Sequence, residues 1–540
     1  MKLKAVLLGA SALGTLMAMS AAAIAAGNNN TTINEQGNNN VLLLVQSDSS
    51  GNNTAGNTAQ PITQNGNNNN ISANQAAGSQ LGVGTVGSTA GYEYGWYKPS
   101  SYGNGVDQTG NFSSLTVTQT GGTILQVQQG APNTAIGATN SATINQTTDF
   151  SGGAYIGSVT QIYNGTWGTN PNTLNVTQSA LSTDPGFAHR DAIDTIYQRG
   201  VANQLTVQQP KSFNTVIEAA QDGQTNIGSI TESGENNWVS YFDQVGNGNT
   251  AGIVVSGNNN GGNSLNSNSP NGVTGWNFAS NAGAVSDSLR QNGNNNGASV
   301  TVSGDYNHFG VEQDGNGNSI GGLTISGNDN SVALYQKNDG NVISIANVGG
   351  NYNDIGVRQV GFTNNASVNS TASDSRIWVD EEGSSNAVSA TQSGAWGYIK
   401  ASITGDSNSL TIKQANAVGT TNDTQGNGNV ANVTVTGSGN NLLGPSLSGA
   451  SLSAYYTGNG HDGSFNALGD LYQTGSNNDL QVSVLTSDND FMTLQDGSGN
   501  TINHTVNSGN GNMAVVVQTG SNNTSVTTQS GSGNNIGVTQ

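Results

Sequence analysis

The chain has 540 residues, yet only 8% are charged, 77 are glycine, asparagine is abundant and cysteine is absent. So few core-forming side chains argue against three or four ordinary globular domains and leave either a disordered chain or a regular repeat. A net charge of −20 with only 12 Lys and Arg excludes the clustered basic surface that nucleic acid requires, and without cysteine neither disulfides nor thiolate metal sites can hold a fold.

Residues 1–26 read as a secretory signal peptide: Lys2 and Lys4, a largely apolar run from Ala5 to Met19, then Ala23-Ile24-Ala25-Ala26 with cleavage after Ala25 or Ala26. The run is too short to span about 30 Å of hydrocarbon, so a membrane anchor is the weaker reading. Loss of the two lysines takes the net charge from −20 to −22 and places the mature chain outside the cell or on its surface. Repeats then fill 27–77, a Gly/Tyr-rich insertion occupies 78–110, and repeats return over 111–260 with an insertion near 182–200. A Gly/Asn/Ser-rich insertion covers 261–284, and repeats run from 285 to 540 with an insertion near 442–463.

The repeat is Asn-x5-Gln, mostly with apolar or small residues two and four places after the Asn, followed by a short turn containing Gly. It starts at Asn30, Asn40, Asn140, Asn172, Asn203, Asn307, Asn330, Asn353, Asn386, Asn408, Asn489, Asn512, Asn523 and Asn534. Alternation at period two makes each frame a strand, with Asn353, Ile355, Val357 and Gln359 on one face and Asp354, Gly356 and Arg358 on the other. Gln291, Gln313, Gln336 and Gln359 are 22, 23 and 23 residues apart, so a coil of two strands and two turns is expected. The corresponding slot on the other strand is often aliphatic, as at Val255, Val302, Val435 and Val506. One corner of the coil is therefore expected to stack Gln and the other Val. The expected fold is all-β: one long β-solenoid of stacked two-strand coils of about 22–23 residues, with insertions at turns. Strands about 4.8 Å apart place like amides above one another, so Gln313, Gln336, Gln359, Gln392, Gln414, Gln495, Gln518 and Gln529, with Asn307, Asn330, Asn353, Asn512, Asn523 and Asn534, are expected to form ladders. Gly293, Gly315, Gly475, Gly520 and Gly531 are the expected turn glycines.

At Asn512-x5-Gln518-x-Gly520-x2-Asn523-x-Ser525-x3-Gln529 the chain resembles the curlin repeat, Ser-x5-Gln-x-Gly-x2-Asn-x-Ala-x3-Gln, with Asn512 and Ser525 as the departures. Gln291-x-Gly293-x2-Asn296-x-Ala298 and Gln473-x-Gly475-x2-Asn478 carry the same Gln-Gly-Asn centre. This resemblance implies a subunit of curli-like fibres, an extracellular functional amyloid whose subunits stack end to end in adhesion and biofilm matrix. It also implies export through an outer-membrane pore and nucleation on a surface-tethered subunit. The chain is several times longer than the usual subunit of that family, and it carries large insertions.

No catalytic, metal or cofactor site stands out. Gly246-x-Gly248 and Gly315-x-Gly317 read as turn glycines, since no helical pattern or lysine at Walker spacing follows. Asp354 and Asp462 do not recur coil after coil as calcium repeats would. His189, His308, His461 and His504 lack metal-ligand spacing, and Glu381 and Glu382 fall on opposite strand faces, which argues against an enzyme. Thr116-Val117-Thr118 lacks regular recurrence, which argues against an ice-binding face. The partners expected are copies of the chain itself and cell or abiotic surfaces. With matching frames from Asn30 to Gln540, an assembly edge is expected at Asn534, Ile536, Val538 and Gln540. The competing reading is a monomeric or surface-attached β-solenoid adhesin that binds through its insertions. Tyr92, Tyr94, Trp96 and Tyr97 form the candidate binding loop for sugar or another surface, against the plainer reading of a loop packed on the solenoid.

Overall fold

The structure, a computed structural model, describes residues 30–47, 53–56, 61–76, 79–82, 105–124, 126–130, 139–148, 155–163, 170–180, 192–193, 195–211, 213–261, 282–416, 428–441 and 469–540. The signal segment 1–26, the loop of Tyr92, Tyr94, Trp96 and Tyr97, all of 442–463 and most of 182–200 and 261–284 lie outside the described residues. The chain divides into two compact units, one reaching to Gly262 and the other beginning at Asn263, where the sequence suggested a single solenoid.

Both units are all-β solenoids of stacked parallel strands. In the second unit, successive strands alternate between two sheets. Sheet I holds Ser288–Asn292, His308–Asp314, Ser331–Lys337, Asp354–Phe362, Arg376–Ser384, Tyr398–Thr404, Val430–Thr436, Asp479–Val484, Thr501–Ser508 and Thr524–Ser530. Sheet II holds Gly297–Val302, Ser319–Ile325, Val342–Val348, Asn365–Ser370, Ala387–Ser393, Ser409–Asn416, Asp470–Ser476, Asp490–Ser498, Met513–Ser521 and Asn535–Thr539. Pairing keeps the repeat in step, with Gln313 against Gln336 and Gln336 against Gln359, apart from register shifts between Ala298 and Val300, Ile343 and Ile345, and Val506 and Ser508. Val332 and Leu334 of sheet I and Ile320, Leu323 and Ile325 of sheet II point inward and are buried, as the period-two pattern requires. The inner face over 353–359 is the expected one, and Arg358 projects outward to pair with Asp380 at 2.7 Å.

The first unit departs from the two-strand coil. Its sheet I runs through Ile33–Gln36, Ile62–Asn65, Gly105–Thr109, Gln126–Gly130, Val159–Tyr163, Ile196–Val201, Thr215–Gln224 and Trp238–Asn247. Sheet II runs through Val41–Ser47, Asn70–Ala76, Ser114–Thr120, Asn140–Thr148, Asn172–Ala180, Gln204–Gln209, Ile227–Glu232 and Thr250–Val255. A third, narrow sheet of two-residue strands includes Thr54–Ala55, Gln80–Leu81, Thr123–Ile124, Tyr155–Ile156 and Ala192–Ile193. It merges into sheet I at Thr215–Gln224, which pairs with both Ala192–Ile193 and Ile196–Val201. Gly105–Thr109 and Ile196–Val201, at the ends of two stretches read as insertions, are strands that carry Gln108 and Gln198.

Parallel pairing also aligns residues that look scattered in the sequence. Thr116 and Thr118 stand against Ser72 and Asn74 on one side and Thr143 and Asn145 on the other, so the outward face of sheet II is a continuous array of small polar residues in which the Thr-x-Thr pair itself does not recur. Variable insertions between the strands hide the rows, and in-register pairing restores them.

The turn glycines have a steric reason beyond conformational freedom. Gly361 adopts φ +127, and a Cβ there would lie 1.9 Å from the carbonyl oxygen of Gly383 in the next coil. Gly317, at φ +65, has open space around its would-be Cβ. Gly361→Ala is therefore expected to lower stability by about 3 kcal/mol or more, whereas Gly317→Ala loses only about 1–2 kcal/mol of left-handed strain. Urea midpoints of the two variants, measured side by side, check the difference.

Candidate functional site

The feature that runs through both units is a set of buried side-chain amide columns. In sheet I of the first unit, Nε2 of Gln64 donates to Oε1 of Gln108 at 2.9 Å, and the same bond repeats from Gln108 to Gln129 and Gln129 to Gln161, each at 2.7 Å. It continues through Gln198 and Gln221 to Gln244 at 2.8, 2.8 and 2.7 Å. A second column in sheet II links Gln46, Gln75, Gln119, Gln146, Gln178 and Gln209, and ends where Gln209 donates to Glu232 at 2.6 Å. Both corners of this unit thus stack glutamine, where the sequence suggested one.

Strand spacing explains why these amides are tolerated inside. Each Nε2 has two hydrogens: Gln336 gives one to Gln359 Oε1 at 2.9 Å and the other to the Ser319 carbonyl of the facing sheet at 3.3 Å. Its own Oε1 accepts from Gln313 at 2.8 Å. A buried amide with both hydrogens donated and its oxygen accepting does not bear the roughly 1–3 kcal/mol penalty of an unpaired polar group.

In the second unit the amide column changes sheet. Sheet I stacks Gln291, Gln313, Gln336, Gln359 and Glu381, then continues as Ile403, Val435, Val484 and Val506. Sheet II begins with Val302, Ile325 and Val348, passes Ser370, and becomes Gln392, Gln414, Gln473, Gln495 and Gln518. Of the predicted ladder glutamines, Gln313, Gln336 and Gln359 therefore share one column, and Gln392, Gln414, Gln495 and Gln518 share the other. Gln529 belongs to neither. It stacks on Val506 and donates instead to the carbonyls of Met513 and Asn534, both at 2.9 Å.

The asparagines form a second kind of column, at the turns. The backbone N–H of Asn330 donates to Asn307 Oδ1 at 3.0 Å, and that of Asn353 to Asn330 Oδ1 at 2.9 Å. Each Nδ2 then reaches a turn carbonyl one coil on, as Asn330 does to Gly350 at 3.0 Å. Asn512 and Asn534 continue such a column from Asn489, and Asn523 follows Asn500. The glycines at 293, 315, 475, 520 and 531 all have positive φ at these turns. At the expected assembly edge, Asn535–Thr539 pairs with Met513–Ser521, Ile536 and Val538 are half-buried, and Gln540 Oε1 accepts from Gln518 at 2.7 Å.

Sequence reasoning missed Gln64, Gln75, Gln108, Gln119, Gln129, Gln161, Gln198, Gln221 and Gln244. Asn69-x5-Gln75 fits the frame outright, and Asn214-x6-Gln221 and Asn237-x6-Gln244 are one residue longer. The signal shared by Gln64, Gln108, Gln198, Gln221 and Gln244 is a glycine two residues on, at the turn.

Several titratable groups lie inside or against the stack. Burial pushes the Glu381 carboxyl up to about 8 even though Gln359 donates to its Oε2 at 2.6 Å. Its Oε1 has no hydrogen-bond partner, and the register places Asn365 where Val342 stands one coil earlier, the residue whose carbonyl accepts from Gln359. Protonated, Glu381 can stand in for a glutamine. Burial lowers His504 to about 4; its Nδ1 lies 2.8 Å from Thr527 Oγ1, and its ring packs 6.3 Å from that of Phe491. Asp287 and His308 form a buried pair, with Nδ1 3.3 Å from Oδ1, and desolvation raises the Asp287 carboxyl against the pull of His308. Glu382 is exposed, opposite in face to Glu381. Among the described residues no group of three or more His, Cys, Asp or Glu could hold a metal ion.

No protein-family model matches the chain, and no curated protein matches it.

Two outcomes follow for the columns. Gln336→Leu leaves a hydrogen of Gln313 and the oxygen of Gln359 unpaired and is expected to destabilise by about 2–4 kcal/mol, although an uninterrupted aliphatic column serves the same corner at 403–506. Denaturant titration of the variant against wild type tests this. For Glu381, whose pKa is raised from 4.5 to about 8, the stabilising contribution is complete below pH 4.5 and is lost as pH rises to about 8. For His504, lowered from 6.5 to about 4, it is complete above pH 6.5 and is lost as pH falls toward 4. Glu381→Gln should remove the alkaline loss and His504→Asn the acidic loss, as read from melting temperatures across that range.

Proposed function

We propose that the protein is an extracellular structural subunit of a curli-like fibre, serving adhesion and biofilm matrix, which grows by stacking coil on coil. One observation carries this reading: the glutamine columns, in which every bond from Gln64 to Gln244 runs Nε2 to Oε1 in the same direction. A column of that kind has a direction, so a stack that adds coils in the same sense extends it without reversing any bond. The parallel strands below it offer backbone N–H and C=O groups with the same polarity. Such an assembly needs no recognition beyond the repeat itself.

The resemblance at Asn512–Gln529 to the curlin repeat points the same way, and with it to a dedicated export pore and a nucleating subunit as partners. Purified secreted chain is expected to bind thioflavin and to give fibres by electron microscopy with a meridional spacing of about 4.8 Å. A chain that stays monomeric and dye-negative for days overturns the proposal.

A further inference from the structure

The outward faces of the two sheets in the first unit differ in charge. On sheet I, Asp107, Arg199, Asp222 and Asp243 project outward, and Arg199 pairs with Asp222 at 2.6 Å. On sheet II the outward rows are neutral throughout the described strands. A central row reads Leu43, Ser72, Thr116, Thr143, Asn175, Thr206, Ser229 and Gly252. Its neighbour reads Val45, Asn74, Thr118, Asn145, Thr177, Gln208, Thr231 and Val254. These side chains are exposed or half-buried, and the large apolar ones stand at the two margins: Val41, Leu43 and Val45 are 56%, 38% and 44% exposed, and Ile227 and Val254 are 47% and 40% exposed.

We propose that this face is a self-association surface on which two copies of the chain pack side by side about a twofold axis running along the strands. Charge selects it. Two chains that each carry −20 repel one another, and a neutral face lets them approach without burying unpaired charge. Period selects the partner, because a second copy repeats at the same strand spacing of about 4.8 Å and its side chains interdigitate along the whole face. The distribution of apolar residues supplies the symmetry. The axis reverses the strand order, so the Val41, Leu43 and Val45 strand lies over the Val254 strand of the second copy, and polar rows meet polar rows between. Eight strands of about seven residues present roughly 700 Å² of face per copy, close to the roughly 800 Å² per partner of stable specific interfaces. This pairing is lateral, so it does not depend on fibre growth.

The same axis sets Thr116 of one copy opposite Thr206 of the other. Sedimentation of the soluble secreted chain over a range of concentrations is expected to show dimers. Thr116→Lys with Thr206→Lys, and Thr116→Glu with Thr206→Glu, should each weaken association at least tenfold even though they move the net charge in opposite directions. Thr116→Lys with Thr206→Glu should restore it, and Ala220→Lys on the outer face of sheet I should leave it unchanged. Circular dichroism of every variant confirms the fold, and thioflavin kinetics read fibre growth separately. A wild-type chain that stays single at all concentrations overturns the proposal, as does a chain that still pairs with both like-charge variants or fails to recover with the charge swap.

Discussion

The side-chain amide bond between glutamines of neighbouring coils is the constraint on which the rest of the structure depends. It forms only when strands run parallel, in register and one strand spacing apart, because Nε2 of one coil must meet Oε1 of the next. That requirement reaches the turns. Register has to survive every reversal of the chain, and the Asn columns hold each turn to the one above through both the backbone N–H and a turn carbonyl. The carbonyl that an Asn seeks sits where a Cβ of the preceding turn would be, which is why Gly is retained there.

The inside of each corner is either wholly amide or wholly aliphatic over several coils, and the second unit contains both states. Mixing them one coil at a time leaves a donor or acceptor without a partner in a dry interior, whereas an unbroken run of either kind satisfies itself. The change of state is where compromises gather. Glu381 closes one column, and Ser370 precedes the other, whose first member, Gln392, has an Oε1 without a hydrogen-bond partner. These buried polar atoms make the exchange one of the places where the interior is left unsaturated, as it also is at Gln64 Oε1, Thr493 Oγ1 and Gln529 Oε1.

Much of this was legible in the sequence, because a period-two strand with fixed end residues leaves a strict pattern. Asn353-x5-Gln359 and its neighbours gave strand, inner face and coil length directly. The first unit was harder to read for physical reasons. Thr215–Gln224 and Trp238–Asn247 carry an extra residue between Asn and Gln, and the two-residue arms from Thr54 to Ala192 are too short to show alternation. The swap of the amide column from sheet I to sheet II was present in the sequence as aliphatic residues at Val302 and Val435, but which corner each occupied is a matter of pairing. Likewise Thr116 and Thr118 looked isolated because residues that stack on them, such as Ser72 and Thr143, lie at irregular distances along the chain.

The common direction of the glutamine bonds also gives each column a dipole. Aligned side-chain amides add head to tail as backbone peptides do in a helix, leaving partial positive charge at the donor end and partial negative charge at the acceptor end. Glu232 and Glu381 stand at donor ends, where an acceptor belongs, whereas Glu35 stacks at the acceptor end of the Gln64 column. Each such column is therefore electrically polar. Two columns laid antiparallel, as the twofold axis proposed for the first unit would place them, cancel each other's dipoles.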